Sequence, residues 1–284
     1  MSDERRAPAI ALTYEGNDAS YIERMLPLID VLEVTPDAIA VAGVAGAEIP
    51  VGTLDVLEDL SRHVHIVVHG VGLSIGSADG WSEQYLRLVD QLVDRLPIAW
   101  HSEHLGYVNV DGQHLGTMLP LPRTEEALDL LGDRVAALRT RYGLPFLLEN
   151  IVRVLPEPEC AYSDAAFLNA LVARTGCGLL VDVYNLECDA QNNGLAIDDF
   201  LDELQLEHVR ELHVACGVEH EGVLLDVHSR PLRDSTLTLA RDIVRRADAH
   251  VALVTYELLA EAVPVLGPRV IAEELRRLRA ALAA

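Results

Sequence analysis

Short apolar runs rich in β-branched residues alternate with longer amphipathic stretches, eight times in succession, along almost the whole chain. The runs are PAIALTYE (8–15), VLEVTP (31–36), VHIVVHG (64–70), IAWHSEHLG (98–106), PFLLEN (145–150), GLLVDVYNL (178–186), RELHVACG (210–217) and HVALVTYELL (250–259). Between them lie segments with apolar spacing near 3.6, which predicts helices: DASYIERMLPLI, DGWSEQYLRLVDQLVDRL with Asp79 or Ser82 as its cap, TEEALDLLGDRVAALRTRYG ending at Gly143, SDAAFLNALVARTG, IDDFLDELQLEH, STLTLARDIVRRAD and IAEELRRLRAALA. No linker or low-complexity tract divides the series. The pattern predicts an α/β chain whose residues 1–284 close as a single (β/α)8 TIM-barrel domain. An open doubly wound sheet is the competing arrangement, but its first turn is usually glycine-rich, and here that turn reads YEGNDAS.

Charge narrows the chemistry. The formal net charge is -23, which argues against nucleic acid and against an anionic membrane surface. All 22 basic residues are arginine, so Schiff-base and pyridoxal-phosphate chemistry lack their lysine. Cys160, Cys177, Cys188 and Cys216 are scattered, with no C-x-x-C pair, and read as reduced thiols. The first residues, MSDERRAP, lack the apolar stretch of a signal peptide, and no run of 18 apolar residues occurs. The expectation is a soluble, cytoplasmic protein, monomeric or homodimeric.

What stands at the strand ends is unusual. Glu33, His69, Glu103, His104, Glu149, Asn150, Asp182, Asn185, His213 and Glu257 all fall there, and Asp226 and His228 follow in the loop after the seventh strand. A barrel gathers these ends on one rim, where active sites are built. Carboxylates crowded together cannot all stay ionised unless something positive compensates them. With no lysine and few arginines at these places, a cluster of metal ions is the simplest compensation. Imidazole with carboxylate and no thiolate suits iron, manganese or zinc. Single members have bland readings: a lone strand-end histidine is usually a hydrogen-bonded core residue, and Glu33 alone is an internal ion-pair partner. His63, His65, His114, His208 and His250 fit solvated or capping roles. His101 and His104 alternate in direction, so one of them points away from the rim.

With those residues in view, the chain resembles the DUF692 proteins, multinuclear non-heme iron-dependent oxidative enzymes that include the methanobactin-type oxazolone-forming and thiaglutamate-biosynthesis enzymes. The matching motifs are HGVGLSIG (69–76), SEHLGYV (102–108), LLENI (147–151), LVDVYNLECDAQNNG (180–194), ELHVACG (211–217), LDVHSRPL (225–232) and TYELL (255–259). The resemblance implies a TIM barrel holding two or three irons in a mixed-valent Fe(II)/Fe(III) state with O2 as co-substrate. It implies His69, His104, Glu149, Asp182, His213, Asp226, His228 and Glu257 as metal ligands. Glu149 or Asp226 would be the bridging carboxylate, and Asn185 and Tyr184 further candidates for the catalytic machinery, supported by Asn150 and Ser102. Tyr256 is expected to pack outward. The implied substrate is a cysteine-containing precursor peptide or a small thiol, with a peptide-recognition partner protein.

The chain departs from the family pattern at four positions: Tyr184 stands where an asparagine is usual, Cys216 where a glycine is usual, and Asn193 and Gly217 where histidines are usual. His220 is a candidate substitute for the missing imidazole. Two metals are therefore safer than three. Two other readings stay open: a divalent-metal sugar isomerase, epimerase or abasic-site endonuclease of the xylose-isomerase-like barrels, and a metal-poor scaffold for a biosynthetic partner.

Overall fold

A computed structural model describes residues 7–16, 19–44, 46–154 and 160–283. Eight parallel strands close into a barrel: β1 (Ala9–Tyr14), β2 (Val31–Val34), β3 (His65–Gly70), β4 (Ile98–His104), β5 (Phe146–Glu149), β6 (Gly178–Asp182), β7 (Val209–Val214) and β8 (Leu253–Tyr256). Neighbours in sequence are neighbours in the sheet, and β8 pairs back onto β1, with Leu12 opposite Tyr256. Every sequence-predicted strand is present. The sixth ends four residues early, because Asp182 caps a helix that starts at Val183 and so takes Tyr184 and Asn185 out of the sheet.

Helices clothe the barrel. They are α1 (Ala19–Met25), α2 (Val51–Leu60), α3 (Glu83–Val93), α4 (Glu125–Tyr142), α5 (Asp164–Thr175), α6 (Val183–Asn193), α7 (Ile197–Glu203), α8 (Asp234–Arg246) and α9 (Ala262–Ala283, broken at Gly267). Three starts are capped by hydroxyls: those of Ser82, Thr124 and Ser163 each accept from a backbone N–H three residues on. Ser82, not Asp79, therefore caps α3. Gly143 ends α4 with φ of 66°, which costs glycine little. Helix α2, VGTLDVLEDL, is absent from the sequence reading; it is short and opens after Pro50 without a side-chain cap.

The main core lies between sheet and helices and includes Leu12, Ile66, Leu86, Leu131, Leu148, Leu212 and Ile271. The lower interior of the barrel is closed by Ala11, Val31, Val67 and Leu253, with Trp100 beside them. Above that layer the interior turns polar. Three hairpins stand on loops at the strands' C-terminal ends: Val41–Gly43 with Gly46–Glu48, Gly106–Val110 with Gln113–Pro120, and Val218–His220 with Val223–Leu225. Among the described residues no helix is long and apolar enough to cross a membrane.

Candidate metal centre

Strand alternation turns every second side chain of each barrel strand inward. On β3 and β4 this selects His69, Ser102 and His104, and sends His101 outward between Tyr85 and Phe146. On β7 it selects Glu211 and His213. Glu149 and Asp182 close β5 and β6, and Glu257 follows β8 directly. The result is a compact ring. His69 Nε2 lies 3.2 Å from Glu149 Oε2, and His104 Nε2 lies 3.5 Å from the same oxygen. His213 Nδ1 lies 3.4 Å from Glu149 Oε1 and 3.0 Å from Glu257 Oε2. His228 places Nδ1 3.2 Å from Glu257 Oε2, and its Nε2 contacts Asp226. Three groups have ligand-type atoms within 4.8 Å of one another: His69, His104 and Glu149; Glu149, Asp182, His213 and Glu257, which shares Glu149 with the first; and Glu33, His69 and His213, in which Glu33 is already bonded to His213.

The imidazoles are oriented from behind. The Ser102 hydroxyl donates to the Val68 carbonyl at 3.2 Å, so it accepts from His69 Nδ1 at 3.0 Å. His104 Nδ1 donates to the Gly70 carbonyl at 2.9 Å. His213 Nε2 donates to Glu33 Oε2 at 3.0 Å. In each ring one nitrogen is bound to the protein and the other faces the centre. Beneath Glu33 lies a second buried carboxylate, Glu211, which accepts from Trp100 Nε1 at 2.8 Å and Thr255 Oγ1 at 2.7 Å. Burial and then Glu33 push the Glu211 carboxyl up to about 8. The sequence reading missed Glu211, Trp100 and Thr255; the signal was the two-residue spacing of Glu211 and His213 on one strand.

Buried polar atoms normally find partners. Here His69 Nε2, Glu149 Oε2, Asp182 Oδ2, Asn185 Oδ1, His213 Nδ1, His228 Nε2 and Glu257 Oε2 are buried and make no directed hydrogen bond. All seven belong to this one place. Carboxylate oxygen and imidazole nitrogen atoms converging on one place are what a multivalent cation requires.

The electrostatics agree. Burial, then Asp226 and Glu149, raises the Asp182 carboxyl well above the usual carboxylate range. Burial alone would discharge His213 and His228, but facing carboxylates override it and raise both well above the ordinary histidine value, Glu33 and Glu257 for the first, Glu257 and Asp226 for the second. His104 is raised in the same way by Glu149. Burial also opposes the charge on Glu257, yet His228 and His213 hold its carboxyl well below the usual range. His69 is held well below its ordinary value by burial and then by its imidazole neighbours. Without a cation, protons on the outer imidazoles supply the missing positive charge.

The other expected residues fall as follows. Asn150 braces Asp182 through two bonds to its backbone, and Asn185 Nδ2 donates to the Asn150 carbonyl at 3.1 Å. Tyr184 is fully buried; its hydroxyl reaches toward the Leu225 carbonyl at 3.5 Å, and its ring stacks under Arg233. Cys188 and Cys216 are buried beside it. Tyr256 packs outward in the main core, donating to the Arg230 carbonyl at 3.3 Å. His220 is exposed on its hairpin. Asn193 turns to the Arg153 carbonyl and Asp189.

The chain matches the family described as RiPP precursor modification enzyme MbnB/TglH/ChrH over residues 11–282. It belongs to this family. Relatives include a UPF0276 protein of Anaeromyxobacter sp., 34% identical over 224 residues, spanning 79% of this chain and 77% of the relative. Another, from Caulobacter vibrioides, is 31% identical over 220 residues, spanning 78% and 76%. Among solved structures, endonuclease IV from Thermus thermophilus aligns with a TM-score of 0.60 at 16% identity, covering 97% of this chain and 99% of that one. D-psicose 3-epimerase from Clostridium cellulolyticum aligns at 0.57 and 12%, covering 96% and 99%. At such identities these likenesses speak to the barrel fold alone. The family is one of precursor-modifying enzymes, and the His and carboxylate groups form candidate metal-binding clusters within it.

Proposed function

We propose that this chain, acting as one barrel unit, is a non-heme iron oxidative enzyme that uses O2 to modify a cysteine-containing precursor peptide or related thiol. The observation that carries the reading is the convergence of His69, His104, Glu149, Asp182, His213 and Glu257, whose ligand-type atoms form two groups within 4.8 Å that share Glu149. His69, His104 and Glu149 would hold one ion. Glu149, Asp182, His213 and Glu257 would hold a second, with Asp226 and His228 beside it, and Glu149 belongs to both groups. Two ions suit this chain better than three. A Cβ at Gly217 would collide with the Leu225 carbonyl oxygen, so no imidazole fits there, and Asn193 bonds elsewhere.

Iron, when bound, supplies one-electron oxidation of a substrate with dioxygen as the acceptor. The chain supplies the rest. Ser102, the Gly70 carbonyl and Glu33 fix which nitrogen of His69, His104 and His213 faces the centre, so the donor geometry exists before any ion arrives. Asn150 and Asn185 hold Asp182 from behind. Water is excluded from below, where His69, Glu149 and His213 are at most 2% exposed. Access is from above, past Asp226, His104 and Glu257, whose side chains are 30%, 17% and 14% exposed. The mouth also supports a peptide substrate. Val41, Val71, Val110, Leu115, Val223 and Leu259 are exposed apolar residues, and all lie in loops that follow barrel strands. Exposed apolar side chains on these segments are available to a polypeptide, with a partner protein as a further occupant.

The test is anaerobic reconstitution of the purified chain with iron, manganese or zinc, followed by oxygen-electrode measurement with a cysteine-containing peptide. Iron-dependent oxygen uptake coupled to a mass change in the peptide is expected. Turnover of a ketose sugar with manganese or zinc, and no oxygen uptake with iron, would replace this reading by the epimerase one.

A further inference from the structure

We propose that Asn192, at the far end of α6, is a positioning residue that sets Asp226 and His228 against Asp182; the inference rests on the reading of those three as metal ligands. Helix α6 spans 11 residues, about 16 Å at 1.5 Å per residue. Its N-terminal cap is Asp182, whose Oδ1 accepts from Asn185 N at 2.7 Å, which leaves Oδ2 for the centre. Its last turn carries Gln191, Asn192 and Asn193. The Asn192 side chain pairs with Leu224 in both directions: Nδ2 donates to the Leu224 carbonyl at 2.8 Å, and the Leu224 N–H donates to Asn192 Oδ1 at 2.9 Å. A side-chain amide thus takes the role of a neighbouring strand along the hairpin Val218–Leu225. Gln191 Nε2 adds a bond to the Gly222 carbonyl at the hairpin tip, 3.0 Å away.

Apolar packing reinforces the attachment. The Leu224 side chain is 3% exposed and sits with Tyr184, Cys188, Ala215 and Cys216, two of them from α6 itself. Asp226 follows Leu224 by two residues and His228 by four. Downstream, the segment is tied by backbone bonds, Ser229 N and Arg230 N both donating to the Cys216 carbonyl at 2.9 Å and Leu259 N to the His228 carbonyl at 3.2 Å, with the Tyr256 hydroxyl adding a bond to the Arg230 carbonyl at 3.3 Å. His228 holds a φ of 34°, a backbone state that an L residue adopts only when its surroundings impose it. Asp226, with its side chain 30% exposed, has little packing of its own. Its place therefore depends on the fixed points either side, and the upstream one passes through the Asn192 amide, which bonds Leu224 in both directions and which substitution can remove. One helix thereby fixes both sides of the second ion position: Asp182 at its start, and through Asn192 the loop carrying Asp226 and His228 at its end.

The experiment is anaerobic titration of the full-length metal-free chain with Mn(II), read as loss of the free-ion EPR signal, for wild type, Asn192→Ala, Asn193→Ala and Asp226→Ala, with thermal melts of each. Asn193 bonds the Arg153 carbonyl and Asp189 and does not touch the hairpin, so it controls for a general loss at the helix end. Asn192→Ala is expected to weaken one of two ions by about 10- to 100-fold, the same ion that Asp226→Ala weakens, and to leave the other unchanged. Asn193→Ala is expected to lower the melting temperature without changing either affinity. If Asp226→Ala weakens one ion and Asn192→Ala weakens none, or weakens both in step with its melting temperature as a merely destabilised protein would, the inference fails and the metal reading stands. A wild-type chain that binds no Mn(II) overturns both.

Discussion

His213 is the residue gripped from the most sides. Glu33 takes its Nε2 proton at 3.0 Å, while Nδ1 faces Glu149 and Glu257. Carboxylates behind metal-bound imidazoles fix the tautomer and raise ligand basicity, and losing one costs about 10- to 100-fold in metal affinity. Glu33→Ala is therefore expected to weaken metal binding by that factor, and Glu33→Gln, whose amide oxygen still accepts, by less; titration calorimetry checks this, and equal affinity in all three proteins would refute it. The same groups set a pH dependence. His213 and His228 are raised well above 6.5, so in the metal-free protein their stabilisation is complete below pH 6.5 and is lost as pH climbs through their folded values. Asp182, raised well above 3.8, and Glu211, raised to about 8, lose stability in the same direction. His69 is lowered, so it acts only below 6.5, and depressed Glu257 contributes evenly above its unfolded value of 4.5. The melting temperature of metal-free protein should fall steadily from pH 6.5 to 9. Metal uptake should release protons, which calorimetry in buffers of different ionisation enthalpy measures. Uptake without proton release would mean that these imidazoles are not the ones displaced.

At the scale of elements, the turn after β7 is the tightest constraint. Gly217 has no room for a Cβ beneath the Leu225 carbonyl oxygen. Gly217→Ala must push the hairpin off α6, at a cost of about 1–3 kcal/mol for such overpacking, and a thermal melt within a degree of wild type would show that the hairpin yields freely. The eight strands were legible because strand and helix periods differ so sharply, and because interior alternation left clean apolar runs. His69, His104, Glu149, Asp182, His213 and Glu257 were legible as strand-end polar residues breaking those runs. What failed had local causes. GLLVDVYNL reads as one strand, since nothing apolar marks Asp182 as a cap rather than a strand residue. Helix α2 lacked a capping side chain, and the three hairpins lay in segments whose polar and apolar residues follow no single period. Asn192 was invisible as a brace, because its partner is backbone 32 residues away.

For the whole molecule, the barrel trades stability for its centre. It buries several like-charged carboxylates in one place, so the folded chain needs protons or cations there. A ligand that binds only the folded state adds about 2.7 kcal/mol at a hundred times its dissociation constant. Iron(II) under anaerobic conditions should therefore raise the melting temperature by several degrees, and a chelator should reverse it. Unchanged melting with and without iron at neutral pH would leave the buried carboxylates without their proposed compensation.

The most direct measurement is the number of ions bound after anaerobic Fe(II) loading and desalting, counted by elemental analysis for wild type and for Glu149→Ala, with circular dichroism to confirm that the variant is folded. A centre bridged by Glu149 predicts about two irons per wild-type chain and close to none in the folded variant, because both positions share that carboxylate. A wild-type chain that retains no iron, or a Glu149→Ala chain that retains as much as wild type, would contradict it.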